Sequence, residues 1–398
     1  MIKGKDIIVI GLQPWDIEIG SNCKNIAMEF ARNNRVLYIN PPLTFHAIRK
    51  NRHNDKVIKR LKIIKGEISD IHQIEQKLWV FYPKIIISSI NWIRCDWLFD
   101  VLNQQNNKRF AKEINRKKTS LGFKDVILFN DNHIFLGLYM KNYIKPQFYI
   151  YYIRDNLINN PYWKKHGLKL EAELIREADL VVTNSSLYAE YASKYNPNSY
   201  MVGQGCDISL FNDEIKEIEI PVEMNNIAHP IIGYIGNLTT RRLDIKLLEF
   251  IAQQKPHWNI VLIGPEDETF KTSNLHQMPN VYFLGAKPEI ALPHYLKSFD
   301  VAINPQLINE ITNGNYPRKI DEYLAMGKPI VASATKAMDY FKDYTYLAHS
   351  YEDYLRLIDK ALKEDNEELR RKRKDIARSH TWENSVNLIY QYVENTLS

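Results

Sequence analysis

Two successive series of short β-branched apolar runs, each alternating with amphipathic segments, constrain this chain more than any other feature. The first series runs through Ile7–Ile10, Val36–Ile39, Leu78–Phe81, Val126–Phe129, Phe148–Ile153, Leu180–Thr183 and Tyr200–Val202. The second runs through Ile231–Ile235, Ile260–Ile263, Val281–Leu284, Val301–Ile303 and Ile330–Val331. Strands of this composition need cover on both faces, and strands alternating with helical segments build parallel sheets. Between the series, 213–230 holds two prolines, several acids and no long apolar periodicity, and reads as a linker. The predicted organisation is α/β with two doubly wound domains, 1–212 and 231–380. A C-terminal helix within 381–398 carries Val386, Ile389, Tyr390 and Val393 at helical spacing. That helix could return to the first domain or cap the second. The cleft between two such domains would face the carboxyl ends of both sheets, where ligands of these folds bind.

Composition narrows the class. In 398 residues, 45% are apolar and 25% charged, which excludes a disordered scaffold. Cys23, Cys95 and Cys206 are far apart and form no C-x-x-C, against a zinc site or a disulfide framework and in favour of a reducing cytoplasm. The apolar run Ile7 to Leu12 is ended by Gln13-Pro14-Trp15-Asp16, too early for a signal-peptide core. No stretch approaches the ~18 apolar residues of a membrane span, so a soluble chain is expected. Lys and Arg exceed Asp and Glu only by 53 to 47, with no nucleic-acid motif, so nucleic acid is not an expected partner.

The stretch Tyr316-Pro317-Arg318-Lys319-Ile320-Asp321-Glu322-Tyr323-Leu324-Ala325-Met326-Gly327-Lys328-Pro329-Ile330-Val331 carries the most chemistry. Pro317 suits a first helical turn and Gly327 a helix stop. Lys319 and Glu322 share a helix face near the N-terminus, where free N–H groups and the dipole favour phosphate. The same pair in isolation is far more often an ordinary surface ion pair, and it is the helix–Gly–Lys–Pro–strand context that favours a phosphate site. Upstream, Ile231-Ile232-Gly233-Tyr234-Ile235-Gly236-Asn237-Leu238-Thr239-Thr240-Arg241-Arg242-Leu243-Asp244 reads as strand, glycine turn, loop and helix. Gly236 permits close backbone approach, and Arg241 and Arg242 can grip phosphate. A strand end that merely turns tightly explains the glycines as well.

These motifs resemble the donor-binding segment of retaining glycosyltransferases of the GT-B architecture, in the family-four-like (group 1) type close to teichuronic-acid and capsule glycosyltransferases. The resemblance implies two Rossmann-like domains facing a central cleft. It makes Glu322 the second of the family's paired glutamates, contacting ribose. The first falls on Gly314, a departure that leaves sugar contact to backbone amides or to Asn313 and Asn315. It places Gly236, Asn237, Arg241, Arg242 and Lys319 near the donor diphosphate, with Arg242-Leu243-Asp244 as a helix start. It also sets the backbone near Lys287, in Gly285-Ala286-Lys287-Pro288, beside the nucleotide base. In the first domain it brings the loop with Gly20 and Ser21 near acceptor and phosphate. His133 and Asp155, each just past a strand, are candidates for acceptor contact or proton handling, although a lone His or Asp there is more often a turn-former or structural hydrogen-bonder.

No D-x-D follows a strand as a metal site would require, and no H-E-x-x-H occurs, so metal-independent transfer is expected, with no cofactor beyond the UDP- or GDP-linked sugar substrate. Arg49, Lys50, Arg52, Lys56, Lys59, Arg60, Lys62 and Lys65 crowd one segment, and Lys108, Arg109, Lys112, Arg116, Lys117 and Lys118 another. Between them Ile90, Ile93, Trp97 and Val101 recur at helical spacing, with Trp92 nearby. This suits an anionic membrane surface, and equally a solvated basic face over a core helix. The expected activity is sugar transfer from a nucleotide-diphosphate sugar to a lipid-linked or growing surface glycan, with retention, in the cytoplasm or on the inner membrane face. A nucleotide-sugar 2-epimerase on the same architecture and a non-catalytic nucleotide-sugar-binding module remain the rivals.

Overall fold

The computed structural model describes residues 2–17, 21–212 and 218–397. The chain divides into two compact units, Met1–Gly203 with Trp382–Ser398, and Gln204–Thr381. The strands in chain order are β1 Asp6–Gly11, β2 Arg35–Ile39, β3 Leu43–Thr44, β4 Ile71–Glu75, β5 Leu78–Phe81, β6 Ile86–Ile87, β7 Ile127–Asp131, β8 Phe148–Ile153, β9 Leu180–Thr183 and β10 Ser199–Met201 in the first unit. The second unit adds β11 Ile231–Ile235, β12 Asn259–Ile263, β13 Val281–Gly285, β14 Val301–Asn304, β15 Ile330–Ser333 and β16 Tyr346–Ala348.

The first unit is built on a sheet of order β10-β9-β8-β7-β1-β2-β5-β4, parallel except for β4, which runs against β5. One hydrophobic cluster lies on each face of it, as strands apolar on both sides require. The second unit has an all-parallel sheet of order β13-β12-β11-β14-β15-β16, again with a cluster on each face. Both are the expected doubly wound α/β sheets. In each, the order reverses beside a central strand, at β1/β7 and at β11/β14, which is where such sheets bind ligands.

The unit boundary falls at Gly203, upstream of the Asn212 expected, because the following segment packs into the second unit. Phe211 and Ile218 are in its core, and the Cys206 N–H donates to the His380 carbonyl over 3.0 Å. Of the expected linker, 213–217 lies outside the described residues, while Met224 and Ile227 are buried in the same core. The last helix, Trp382–Leu397, belongs to the first unit. Asn34 Nδ2 donates to Tyr390 Oη over 2.8 Å, and Tyr392 stacks on Tyr200 with ring centroids 4.1 Å apart. The spacing Ile90–Ile93–Trp97–Val101 does not lie on one helix. Ile90 and Ile93 are buried in a loop, the helix Asp96–Ser120 starts after them, and Trp97 and Val101 face solvent.

Candidate functional site

At the β11/β14 reversal of the second unit, β11 is followed by Gly236 with φ +146°, and β12 beside it by Gly264 with φ +149°. A Cβ on Gly264 would lie 1.9 Å from the Gly236 carbonyl oxygen, so only glycine lets the two strand ends abut. The helix Lys319–Ala325 is pinned under this turn by the Ile235 N–H, which donates to Tyr323 Oη over 2.8 Å. Lys319 Nζ donates to Tyr234 Oη at 2.6 Å and lies 4.2 Å from the Tyr234 ring centroid. A Cβ on Gly236 would stand 2.8 Å from that same Nζ. Gly236 and Lys319, from the two separate motifs, therefore meet. Glu322 follows on the same helix with its side chain 17% exposed and Arg318 Nη2 3.8 Å from its carboxylate. Burial raises the Glu322 pKa, while Arg318 and Lys319 pull it back down.

The helix end itself departs from expectation. Pro317 lies before the first turn rather than in it, and the helix has seven residues. The N–H groups of Ile320 and Asp321 already bond the carbonyls of Pro317 and Arg318, at 2.9 and 3.1 Å. Side-chain cations, more than a free helix end, carry the positive character here.

Arg241, Arg242 and Asn237 are exposed on a loop whose backbone is fixed. The Leu307 N–H donates to the Arg242 carbonyl at 2.8 Å and Asn309 Nδ2 to the Arg241 carbonyl at 3.1 Å. Thr240 anchors the loop on Asp267 through its N–H and hydroxyl, at 2.7 and 3.0 Å. Asp244 does start a helix, Ile245–Gln254, by accepting from the Leu247 N–H. The Lys287 side chain is ion-paired with Glu223 at 2.7 Å and lies over Tyr295, so only its backbone stays open to a ligand. Asn313 Oδ1 accepts the Lys336 N–H at 2.8 Å, which removes that acceptor from sugar contact. Gly314 is buried and Asn315 half-buried in the same loop.

The sequence gives no signal for the buried network behind the helix. Asp321, fully buried, accepts from Tyr316 Oη at 2.8 Å and pairs with His380 Nδ1 at 2.7 Å. Nor does it single out Asn304 at the end of β14, fully buried with neither amide atom bonded. Both depend on contacts between residues distant in sequence.

In the first unit, Gly20 lies outside the described residues, while Ser21 caps the helix Asn22–Asn33 through the Lys24 N–H and donates to Gln13 at 2.6 Å. His133 is 6% exposed, and its Nδ1 accepts the Leu136 N–H at 3.4 Å. Burial pushes its pKa down to about 4, so it is neutral near pH 7. Asp155 is 42% exposed and ion-paired with Arg154 Nη1 at 2.8 Å. The two candidates do not share a pocket. His133 lines a cavity of ≈ 460 Å³, and Asp155 lines another of ≈ 320 Å³ with Glu171 and Tyr191. At the β1/β7 reversal stands a pair the sequence did not reveal: Arg154 Nε donates to Asp131 Oδ1 at 2.8 Å, with Asp131 fully buried. Among the described residues, no three His, Cys, Asp or Glu side chains converge as a metal site would require.

The basic segments are only partly free. Arg60 faces Asp16, Lys59 lies over Tyr82, and Arg116 and Lys117 pair with Asp70. Arg49, Lys50 and Arg52 remain exposed.

Residues 229–363 match the family described as Glycosyl transferases group 1. TuaH of Bacillus subtilis, provisionally named a teichuronic acid biosynthesis glycosyltransferase, is 27% identical over 254 residues, 60% of this chain and 62% of that relative. The match thus spans less than two thirds of the relative's length. Among solved structures, HepE of Anabaena in complex with UDP superposes with TM-score 0.65 at 14% identity, covering 98% of this chain and 100% of that one. The sucrose-phosphate synthase of Thermosynechococcus elongatus superposes with TM-score 0.66 at 12% identity, covering 99% of both chains. Sheet topology and structural likeness agree that the chain has the GT-B fold, and its residues 229–363 match the group 1 glycosyl transferases.

Proposed function

We propose that this chain transfers a sugar from a UDP- or GDP-linked donor to a hydroxyl of a lipid-linked or growing surface glycan, without a metal and with retained anomeric configuration. The observation that carries the reading is the meeting of Lys319 with the Gly236 turn, inside the matched family segment and at the sheet's reversal point. A diphosphate there would meet Lys319 directly and the exposed Arg241 and Arg242 from the adjoining loop. Fixed cations stabilise the charge that builds on a leaving diphosphate. Glu322 would accept from ribose hydroxyls. The Asn313-Gly314-Asn315 loop would offer the sugar backbone groups in place of a carboxylate, and the backbone at Lys287 would face the base.

The acceptor side falls to the first unit, with Ser21 near its entry loop. Asp155, exposed and ion-paired with Arg154 Nη1, is assigned to receive the hydroxyl proton. His133, buried and neutral, is left a structural role. The setting is the cytoplasm, at the inner membrane face.

Solved structures of HepE hold UDP and UDP-glucose, which favours trying uridine nucleotides first. Thermal shift with UDP and GDP tests the donor site. Incubation with nucleotide sugars in excess EDTA then tests transfer. Failure of both nucleotides to raise Tm would sink the donor site. Epimerised nucleotide sugar would favour the 2-epimerase, and binding without transfer the non-catalytic module. Activity lost in EDTA and restored by a divalent ion would overturn metal independence.

A further inference from the structure

Two cations of the second unit are already matched by carboxylates, Lys287 by Glu223 at 2.7 Å and Arg318 by Glu322 at 3.8 Å. Lys319 differs from both. It is half-buried, and among the described residues it enters no ion pair, the Glu322 carboxylate on its own helix lying nearer Arg318. Its hydrogen-bond partner there is neutral, the Tyr234 hydroxyl at 2.6 Å, with the tyrosine ring centroid 4.2 Å from Nζ.

The kind of partner matters. A carboxylate at this point would fix the ammonium and also cancel its charge. A phenol fixes the position and leaves the charge, while the negative face of its ring adds attraction. An ammonium has three donors, so two remain for an incoming anion. Tyr234 is itself firmly seated. It is 2% exposed and packs in the apolar cluster with Ile232, Leu238 and Leu262. Its own hydroxyl donates to the Asn237 carbonyl over 3.4 Å, which ties the lysine's partner to the backbone just past Gly236.

The place is equally telling. The helix Lys319–Ala325 packs through Ile320 and Tyr323 into the cluster on one face of the sheet, and Tyr234 belongs to the cluster on the other. The contact between Lys319 and Tyr234 therefore crosses the carboxyl end of β11, the edge at which such sheets bind ligands. Gly236 keeps that point clear. A Cβ there would stand 2.8 Å from Lys319 Nζ and 2.9 Å from Tyr234 Oη.

We propose that Tyr234 is a positioning residue for diphosphate binding: its neutral hydroxyl holds the Lys319 ammonium over the strand end with the charge uncancelled, ready for a phosphate oxygen. Tyr234 acts through Lys319 and not by touching the ligand. The inference deepens the nucleotide-sugar reading, on which it rests for what carries the diphosphate.

Calorimetric titrations with UDP compare the wild type, Tyr234→Phe, Lys319→Ala and the double variant. Phenylalanine keeps the ring and its packing, and thermal unfolding confirms that each variant is folded. Tyr234→Phe should weaken UDP binding by about five-fold, the scale of one net hydrogen bond. In the Lys319→Ala background the same change should make no further difference, because two residues that act through one contact do not add. Combined with Arg241→Ala, its effect should persist in full. A tyrosine that only supported the fold would lower binding equally in all three backgrounds. Unchanged UDP affinity in Tyr234→Phe overturns the proposal, and so does an undiminished effect in the Lys319→Ala background. The same series with inorganic pyrophosphate separates the two readings. A wild type that binds pyrophosphate with this dependence on Lys319 and Tyr234, but neither UDP nor GDP, sinks the nucleotide-sugar reading and leaves the role of Tyr234 standing. A wild type that binds none of the three overturns both.

Discussion

The ammonium of Lys319 and the hydroxyl of Tyr234 lie 2.6 Å apart although 85 positions separate them in the chain. The parallel crossover from β11 to β14 makes this possible, because it returns the helix after β14 to the end of β11. The lysine is thereby held across the Gly236 turn before any ligand arrives, and little ordering is left to be done on binding.

Removing that cation should weaken nucleotide binding directly. Lys319→Ala and Glu322→Ala are each expected to cost about 1–3 kcal/mol in UDP or GDP affinity, the range for a hydrogen bond to a charged group. Calorimetry on both variants checks this. Unchanged affinity in both would count against the site.

Gly264→Ala should destabilise the second unit. Its Cβ would meet the Gly236 carbonyl at 1.9 Å, and φ +149° is strained for alanine. Strain alone costs about 1–3 kcal/mol, and the clash must also shift the Gly236 turn. A lower Tm together with weaker nucleotide binding is the expected pair of results. Wild-type values for both would show that the strand ends separate freely.

Arg154→Met should strip the fully buried Asp131 of its cation. Burial raises the Asp131 pKa and Arg154 opposes that rise. Leaving a buried charge unpaired costs about 3–5 kcal/mol. Urea unfolding should show that loss, and Asp131→Asn added to Arg154→Met should recover part of it. A single variant as stable as the wild type would refute the pair's role.

Glu171 should make the first unit less stable as pH rises. Burial pushes its pKa from 4.5 up to about 7, against hydrogen bonds from Tyr151 and Tyr191. Between those values the unfolded chain gives up the proton that the folded chain keeps, so stability falls with pH. The loss amounts to about 3 kcal/mol and is complete above pH 7. Glu171→Gln keeps an oxygen for the Tyr151 hydroxyl and removes the titration. It should therefore gain stability over the wild type at pH 8 and little at pH 4. Parallel Tm–pH curves for the two proteins would refute this.

The sequence by itself determined the two sheets, because a strand buried on both faces must be apolar throughout. The runs Leu78–Phe81, Phe148–Ile153, Leu180–Thr183 and Ile231–Ile235 coincide with strands residue for residue. It missed β4, whose outer residues face solvent, and β3, β6 and β16, too short to show a period. It also brought out Gly236, Lys319 and Glu322, since a turn glycine and a charged helix start leave local marks. Only the tertiary structure decided which of these meet. It laid Lys319 on Tyr234, spent Lys287 on Glu223 and Asn313 on a backbone N–H, and gave His133 and Asp155 separate pockets. It also assigned the last helix to the first unit through Asn34 and Tyr390. Periodicity reports what a residue's own segment buries. A partner across the fold is set by strand order and packing, and those belong to no single stretch of sequence.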